Sequence, residues 1–553
     1  MNKVWIKAHG GKLCNLIVGE ERAEELIKSS ADLKSIDLTR RQIADLEFIL
    51  NGGFSPLTGF MDEEVYRSVL DDMRLADGTF WPLPITLDVD GGFAGSLGKG
   101  EKVVLRDPEG FMLAILTVSD IWRPDKAEEA RRIFGPDDAG NPAADLLSKR
   151  RKEYYLGGPV EGLRLPIHRD YPELRHSPSS MRAVFSERGW RRIIAYEPHK
   201  PFHRADLEFT LKAAGEIDAN LLIHPAAVMS KLHDKNHYLK IRAFKAVTRH
   251  YPPNMAFLSL LPSLLRLASP REKLLRAIIE KNYGCTHIIV APEDAKVFKG
   301  HEDDLGMEAV IHKKMSYLPA ENMFCDDEEL PVGAEAACIT DDEIIERLEG
   351  GGEIPDWFSY PDVIDELLKA YPPRSKQGFT LFFTGFSGSG KSTVANIISA
   401  KLLEIGDRDV TLLDGDIVRK NLSSELNFSK EHRDINILRI GFVAKEITKN
   451  GGIAICCPIA PYEKVRRENR DKISKNGGYV EIFVNTPIEE CEKRDSKGLY
   501  AKARAGIIKG MTGIDDPYEV PENAEIVLNT LELTPEEAAN EVLLYLEQEG
   551  FIK

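Results

Sequence analysis

Apolar residues fall into two rhythms along the C-terminal third of this chain. Short unbroken runs, TLFFT at 380–384, DVTLL at 409–413, AICC at 454–457, EIFVN at 481–485 and EIVLN at 525–529, carry too few polar positions to face water on either side. Runs of that length and kind are strands buried on both faces of a parallel sheet. Between them lie helix-like stretches such as STVANIISAKLLEIG at 392–406. The last helix opens on TPEE, with Thr534 as N-cap, Pro535 in the first turn and Glu537 closing a capping box. The pattern predicts an α/β unit with a doubly wound parallel sheet over 376–553. A second alternation, RIIAYE, NLLIH, AFLSLL and THIIV with helical stretches between, predicts another α/β unit over 171–372. Residues 1–170 are less periodic and richer in Gly, Pro and short strands such as PITLDVD and EKVVLRD, so a mostly β domain with some helix is expected there. The stretch YPPRSKQG at 371–378 can continue neither a helix nor a central strand and separates the last unit from the rest.

Composition narrows the function. At 553 residues the chain is too long for one core. With 73 basic against 89 acidic residues the net charge is −16, which argues against partners such as nucleic acid or an anionic membrane surface. Seven scattered cysteines without C-x-x-C spacing fit neither a disulfide framework nor a zinc site. The N-terminus MNKVWIKAHGGKL lacks a signal-peptide core, and the greasiest run, AFLSLLPSLLRLA, is broken by Pro262 and Arg266 and too short to span a bilayer. A cytoplasmic protein is expected.

The chemistry starts at 385–392, GFSGSGKS, which fits G-x-x-x-x-G-K-[ST] with a strand before it and a helix after it. Gly385, Gly388 and Gly390 let the backbone curl so that successive N–H groups face one anion, and the helix N-terminus adds its positive end. Phe386, Ser387, Ser389 and Thr393 complete the ATP loop. Lys391 can reach the β and γ phosphates, and Ser392 can ligate Mg²⁺ together with Asp414. Asp416, in DGD at 414–416, is placed to take a proton from an attacking hydroxyl. Arg419, Phe428, Arg433 and Asn436 offer an aromatic, guanidinium groups and an amide to a nucleotide-like acceptor. Arg466 and Arg470, at i,i+4 on one helix, extend that cationic cluster. Residues 494–519, Gly-punctuated and basic at the start, look like a lid that closes over phosphates.

The ensemble GFSGSGKST, LDGDIVRKNL, FSKEHRDIN, IAPYEKVRRENR and KGLYAKARAG…TGIDDPYE resembles adenylylsulfate (APS) kinase over nearly all of 376–553. The resemblance implies transfer of the ATP γ-phosphate to the ribose 3′-hydroxyl of APS, with Mg²⁺ as the cofactor and PAPS as the product. It makes Asp416 the activating carboxylate and Lys391 its catalytic companion. It places Arg419, Arg433, Asn436 and Ile459 on APS, Phe428 against its adenine, and Lys497, Gly498 and Leu499 in the lid. Two positions depart from the family. Ala460 stands where a serine is common and excludes a phosphoserine there. Met511 stands where a phenylalanine usually forms the other adenine wall, and its sulfur can still pack on a ring.

Residues 1 to about 370 resemble ATP sulfurylase, including its N-terminal PUA-like β domain. The resemblance is carried by LNGGFSPLTGFM, AVFSERGW, REKLLRAIIEKNYGCTHIIV and IPDWFSYPDV. Self-association is common to both families, so a homo-oligomer is implied. The sulfurylase catalytic motifs are altered. The Gln-Thr-Arg-Asn-Pro-x-His-Arg-Ala-His-Glu frame here has Glu197 for the Gln, His199 for the Arg, Lys200 for the Asn and Asp206 for the second His; His203 stays. The Gly-Arg-Asp-His-Ala-Gly frame reads APEDAK, with Asp294 in it, and the Ser-Gly-Thr near the domain end is replaced around 340–342. A carboxylate ~4 Å from a phosphate charge costs ~4 kcal/mol at an effective dielectric of ~20. Glu197, His199, His203, Asp206 and Asp294 therefore read as a vestigial or repurposed site. The expectation is an APS kinase fused to an inactive or repurposed sulfurylase-like domain. One alternative is a fully bifunctional enzyme that makes PAPS from sulfate and ATP. Another is a non-catalytic nucleotide-binding or assembly protein, which the intact phosphate loop opposes.

Overall fold

The computed structural model describes residues 6–135, 151–227, 235–262, 269–427, 429–495 and 498–553, without the side chains of 235 and 416. The chain forms two compact units, Met1–Ile339 with Pro355–Ala370, and Thr340–Ile354 with Tyr371–Lys553. The stretch 340–354, read from sequence as part of the 171–372 segment, groups with the second unit.

The first unit holds two large sheets. The N-terminal one contains β1 (Lys34–Asp37), β2 (Gly59–Phe60), β3 (Leu87–Val89), β4 (Lys102–Arg106), β5 (Met112–Thr117), β6 (Asp120–Trp122) and β7 (Tyr154–Gly162). Its main path is β1-β4-β5-β7-β2, antiparallel except for β1 with β4. The apolar triplet Val103–Val104–Leu105 pairs across to Leu116, Ile115 and Ala114. The second sheet contains β8 (Ile193–Tyr196), β9 (Asn220–Ile223), β10 (Ala256–Leu258), β11 (His287–Val290) and β12 (Glu308–Ile311), all parallel, in the order β10-β9-β8-β11-β12. The strand order reverses between β8 and β11, so the loops after these two strands flank the crevice where open α/β sheets bind ligands. β12 and the hairpin β13 (Met315–Leu318)–β14 (Met323–Asp326) were not legible in the sequence. These strands are four residues long and largely half-exposed, so they lack a buried apolar run.

The second unit is built on β15 (Phe379–Thr384), β16 (Val410–Asp414), β17 (Ile453–Cys457), β18 (Gly478–Val484) and β19 (Ile526–Leu528). All pairs are parallel, in the order β16-β17-β15-β18-β19. Every residue of β15 is buried. Its side chains alternate between two cores. Phe379, Leu381 and Phe383 join Val394, Ile398 and Leu402 of the helix Lys391–Ile405 and Val542 and Leu546 of the helix Pro535–Gln548. Phe382 joins Ile437, Ile440 and Ala444 of the helix Lys430–Lys449 on the other face. Thr534 caps the last helix through the expected capping box with Glu537.

The helix Lys430–Lys449 carries Arg433 and Asn436, so its seating matters to the site. Asn469, buried in the helix Glu463–Ile473, donates to the carbonyl of Ile437 at 3.0 Å. A Cβ on Gly441 would stand 2.0 Å from Asn469 Oδ1, so this close approach requires glycine. Gly441→Ala is expected to destabilise the second unit by about 1–3 kcal/mol through overpacking. The measurement is its thermal transition in the intact chain, and an unchanged midpoint would mean that the two helices separate without cost.

Candidate active site

β15 delivers the chain to a turn that only glycine can make. Gly385, Gly388 and Gly390 have φ of 143°, 75° and 105°, and a Cβ on Gly385 would lie 2.7 Å from the carbonyl oxygen of Val484. Lys391 opens the following helix and folds back across the loop, where Nζ donates to the carbonyls of Gly385 at 2.9 Å and Phe386 at 2.7 Å. The carbonyl of Ser389 accepts from Thr486 Oγ1 at 3.0 Å, which ties the loop to the segment after β18. The expected curl, lysine and helix start are all in place.

A cavity of about 850 Å³ lies over this turn. Ser387, Gly388, Gly390, Lys391, Ser392 and Thr393 line it, while Gly385, Phe386 and Ser389 do not. Phe386 packs on Tyr518 with ring centroids 4.9 Å apart. Ser392 Oγ donates to Asp414 Oδ2 at 2.9 Å, so a hydroxyl and a carboxylate meet beside the phosphate loop. Two hard oxygen ligands in that position fit Mg²⁺, which is bound by few protein oxygens and by substrate phosphates. Asp416 lies in the first turn of the helix Gly415–Leu422, directly after Asp414, and its side chain is outside the described residues. Cys457 also reaches the cavity; burial pushes its thiol up to about 12, against the opposing pull of the Lys391 charge.

On the acceptor side, Arg419, Arg433, Asn436, Ile459, Leu499 and Met511 all line the same cavity. Arg419 Nη1 donates to the carbonyls of Leu426 at 3.3 Å and Asn427 at 3.2 Å. The Ile459 carbonyl accepts from the Gly385 amide at 3.3 Å and from Thr384 Oγ1 at 2.8 Å. Ala460 sits in the left-handed region at φ 45°, a conformation unusual for a residue with a Cβ and found at functional sites. Gly498, at φ 63°, caps the short helix Leu499–Arg504. Phe428 and Lys497 lie outside the described residues.

Sequence reasoning misplaced two residues and missed others. Arg466 and Arg470 do not extend the anion cluster. Arg466 is fully buried and donates to the carbonyls of Ala460 at 2.8 Å and Glu519 at 2.9 Å, and its Nε lies 3.2 Å from Glu481. Arg470 pairs with Glu525 and Glu481. Burial favours the neutral form of Glu481 and raises its pKa, while these two guanidinium groups oppose the shift. Both arginines brace the fold. The missed wall is Thr530, Leu533, Thr534, Pro535 and Ala538. The capping signal at Thr534 was visible, but nothing local tells that this helix start faces the phosphate loop.

At the reversal point of the first unit, the residues read from sequence as an altered sulfurylase site lie after two adjacent strands. Glu197, His199, His203 and Asp206 follow β8, and Asp294 follows the adjacent β11. Each carboxylate has a structural partner. Glu197 Oε1 lies 3.2 Å from Arg276 Nη1, Asp294 lies 3.0 Å from Lys273, and Asp206 accepts from the backbone N–H of His203 at 3.0 Å. His203 Nδ1 meets Ser359 Oγ at 2.9 Å, and its ring packs on Phe358. His199 is exposed. The repulsion of ~4 kcal/mol per carboxylate, reckoned for bare charges, is therefore too large for Glu197 and Asp294, whose charges are offset by adjacent cations. Thr340 caps the helix Asp341–Gly350.

Comparison with known proteins matches each part. The family model for adenylylsulphate kinase covers residues 377–529, that for a PUA-like domain covers 6–165, and that for ATP-sulfurylase covers 172–370. A sulfate adenylyltransferase of Phaeosphaeria nodorum is 43% identical over 98% of this chain and 99% of its own. One from Mycosarcoma maydis is 44% identical over 98% of this chain and 99% of its own. Among solved structures, the hexameric APS kinase from Thiobacillus denitrificans covers 100% of both chains at 41% identity with a TM-score of 0.80. This chain belongs to the family that joins a PUA-like domain and an ATP-sulfurylase domain to an adenylylsulphate kinase domain in one polypeptide.

Proposed function

We propose that this chain is an APS kinase that transfers the γ-phosphate of ATP to the 3′-hydroxyl of APS and releases PAPS and ADP. The observation that carries this reading is the single cavity in which the glycine turn, Lys391, the Ser392–Asp414 pair and the acceptor-side residues Arg419, Arg433 and Asn436 meet. The turn and helix start receive the ATP phosphates. Asp416 takes the proton of the 3′-hydroxyl as the new O–P bond forms and the bond to the β-phosphate bridging oxygen breaks. Ser392 and Asp414 would hold Mg²⁺, which supplies charge neutralisation between the phosphates. Phe428 and Met511 would enclose the adenine of APS. Lys497, Gly498 and Leu499 would belong to the lid. The domains of this reading are 1–170, 171–372 and 376–553, in a homo-oligomer. The name of the solved relative that matches the chain end to end, a hexameric APS kinase, supports both the kinase reading and self-association.

A second reading concerns the first two thirds of the chain. The ATP-sulfurylase family match and the names of the full-length relatives support a bifunctional enzyme that also makes APS from sulfate and ATP. On these comparisons the two-step reading stands ahead of an inactive first domain. The replaced motif residues are the observation on the other side, and the ion pairs of Glu197 and Asp294 weaken it.

Three outcomes follow. Lys391→Ala is expected to lower the rate of PAPS formation from APS by about 100- to 1,000-fold, as loss of a group that stabilises transition-state charge does; an unchanged rate in a coupled ADP assay would overturn the kinase reading. Chelation of divalent cations should abolish the same reaction and added Mg²⁺ restore it, with Ser392→Ala needing a higher Mg²⁺ concentration for half-maximal rate. With Mg·ATP and sulfate alone, a chain that runs both steps releases pyrophosphate and accumulates PAPS. A kinase with a silent first domain makes PAPS only when APS is supplied.

A further inference from the structure

Arg433 is more than a cation on the cavity wall. Its Nη1 donates to Thr512 Oγ1 at 2.9 Å, its Nη2 donates to Tyr462 OH at 3.4 Å, and the same Nη2 pairs with Asp516. Tyr462 OH in turn donates to Asp516 Oδ2 at 3.1 Å. Three side chains thus close a ring around one guanidinium. Lys430, one turn before Arg433, lies over the Tyr462 ring, 4.4 Å from its centroid.

The ring joins parts of the chain that are far apart in sequence. Arg433 belongs to the helix Lys430–Lys449, Tyr462 follows β17, and Thr512 and Asp516 belong to the segment 508–519. That segment is shaped on its own account. The Asp515 carboxylate accepts from the amides of Gly510 and Met511, both at 2.5 Å, and these bonds hold its pKa below the usual range. Its far end is tied down where the Glu519 amide donates to the Pro461 carbonyl at 2.8 Å and the Glu519 carboxylate accepts from the Glu463 amide at 2.7 Å. Arg433 is the point at which the segment that presents Met511 is fastened to the helix that presents Asn436.

Two buried atoms beside this ring point to a ligand. Arg433 Nε and Asn436 Oδ1 are buried and without hydrogen-bond partners among the described residues. They lie one turn apart on one helix, and both residues line the cavity. Buried polar atoms left without partners cost about 1–3 kcal/mol each, so such a pair on a cavity wall is suited to groups that a ligand brings. An arginine whose outer nitrogens are all engaged offers that remaining N–H in one fixed direction.

We infer that Asp516, with Tyr462, is a positioning residue that fixes the Arg433 guanidinium and the Met511 wall for APS. The inference deepens the kinase reading and rests on it. Asp516 touches neither reacting group. It holds the arginine in register so that little ordering remains when APS enters.

The test uses the intact chain and initial rates with APS varied at saturating Mg·ATP, then the reverse. Asp516→Asn keeps the size and removes the charge. It is expected to lower kcat/KM for APS by about 10- to 100-fold, the scale of a misplaced positioning group, with KM for ATP within about twofold of wild type. Tyr462→Phe is expected to lower kcat/KM for APS by a smaller factor, about 3- to 10-fold, and Asp516→Glu to recover part of the loss. Arg433→Lys combined with Asp516→Asn should cost less than the two changes multiplied, because both remove one ring. A KM for APS that falls in Asp516→Asn would overturn the inference, since the carboxylate would then be a competitor for the arginine. Equal losses toward APS and ATP would overturn it as well, because a general loss of structure has no substrate preference. If Asp516→Asn does not fold, Tyr462→Phe and Asp516→Glu decide by the same ratios. A wild-type chain that fails to phosphorylate APS removes the kinase reading itself, and this inference with it. An active wild type together with an Asp516→Asn variant whose APS kinetics are unchanged removes the inference alone.

Discussion

A backbone that must turn sharply at the end of a fully buried strand is the constraint on which the second unit depends. β15 has neighbours on both edges and a core on each face, so the chain can leave only at its carboxyl end. There the carbonyl of Val484 stands close enough to exclude any side chain on Gly385. Three positive φ angles within six residues then direct the loop inward, and the helix that begins at Lys391 fixes the other end. The oxygens of Ser392 and Asp414 meet because β16 ends level with the end of β17 beside this turn, as the register of Asp414 with Cys457 records.

The acceptor side obeys a different logic. Its residues come from three helices, Gly415–Leu422, Lys430–Lys449 and Leu499–Arg504, from the loop after β17 and from the segment 508–519, and no single element would hold them in place. What holds them is a set of charges paired inside the protein. Arg466 braces the loop that contains Ala460, and Arg433 fastens the segment that contains Met511. Burying such ions is costly unless each has its partners, which is why Glu481 sits between two arginines and not one. The first unit uses the same device. Glu197 and Asp294 would be unfavourable at a phosphate site as bare charges, but Arg276 and Lys273 make them part of the scaffold.

Features that one short stretch contains were legible in the chain. The five strands of the second unit, the glycine turn with its lysine, the Thr534 capping box and four strands of the α/β sheet in the first unit all follow from contiguous patterns, and all are present in the fold. The short half-exposed strands β12 to β14 were not, because four residues with at most two buried positions carry no distinctive period. The cavity wall at Thr530, Leu533 and Ala538 was not either, since a cap signal marks where a helix begins and says nothing of what it faces.

The same distinction separates the charges. By its residue types and spacing alone, the sequence determined where the glycine turn lies, which lysine and hydroxyl stand beside it, and which two families the chain joins. Only the tertiary structure decided what each charged side chain does. Arg466 and Arg470 have the same spacing on their helix that an anion site would use, yet they meet Glu481 and Glu525, 15 and 55 residues further along the chain. Arg433 is drawn to Asp516 across a still longer separation in sequence. A backbone turn is set by the residues that make it, so its signal is local. The energy of a charge depends on the distance to its partner and on the water excluded around both, and the folded chain alone sets those two quantities.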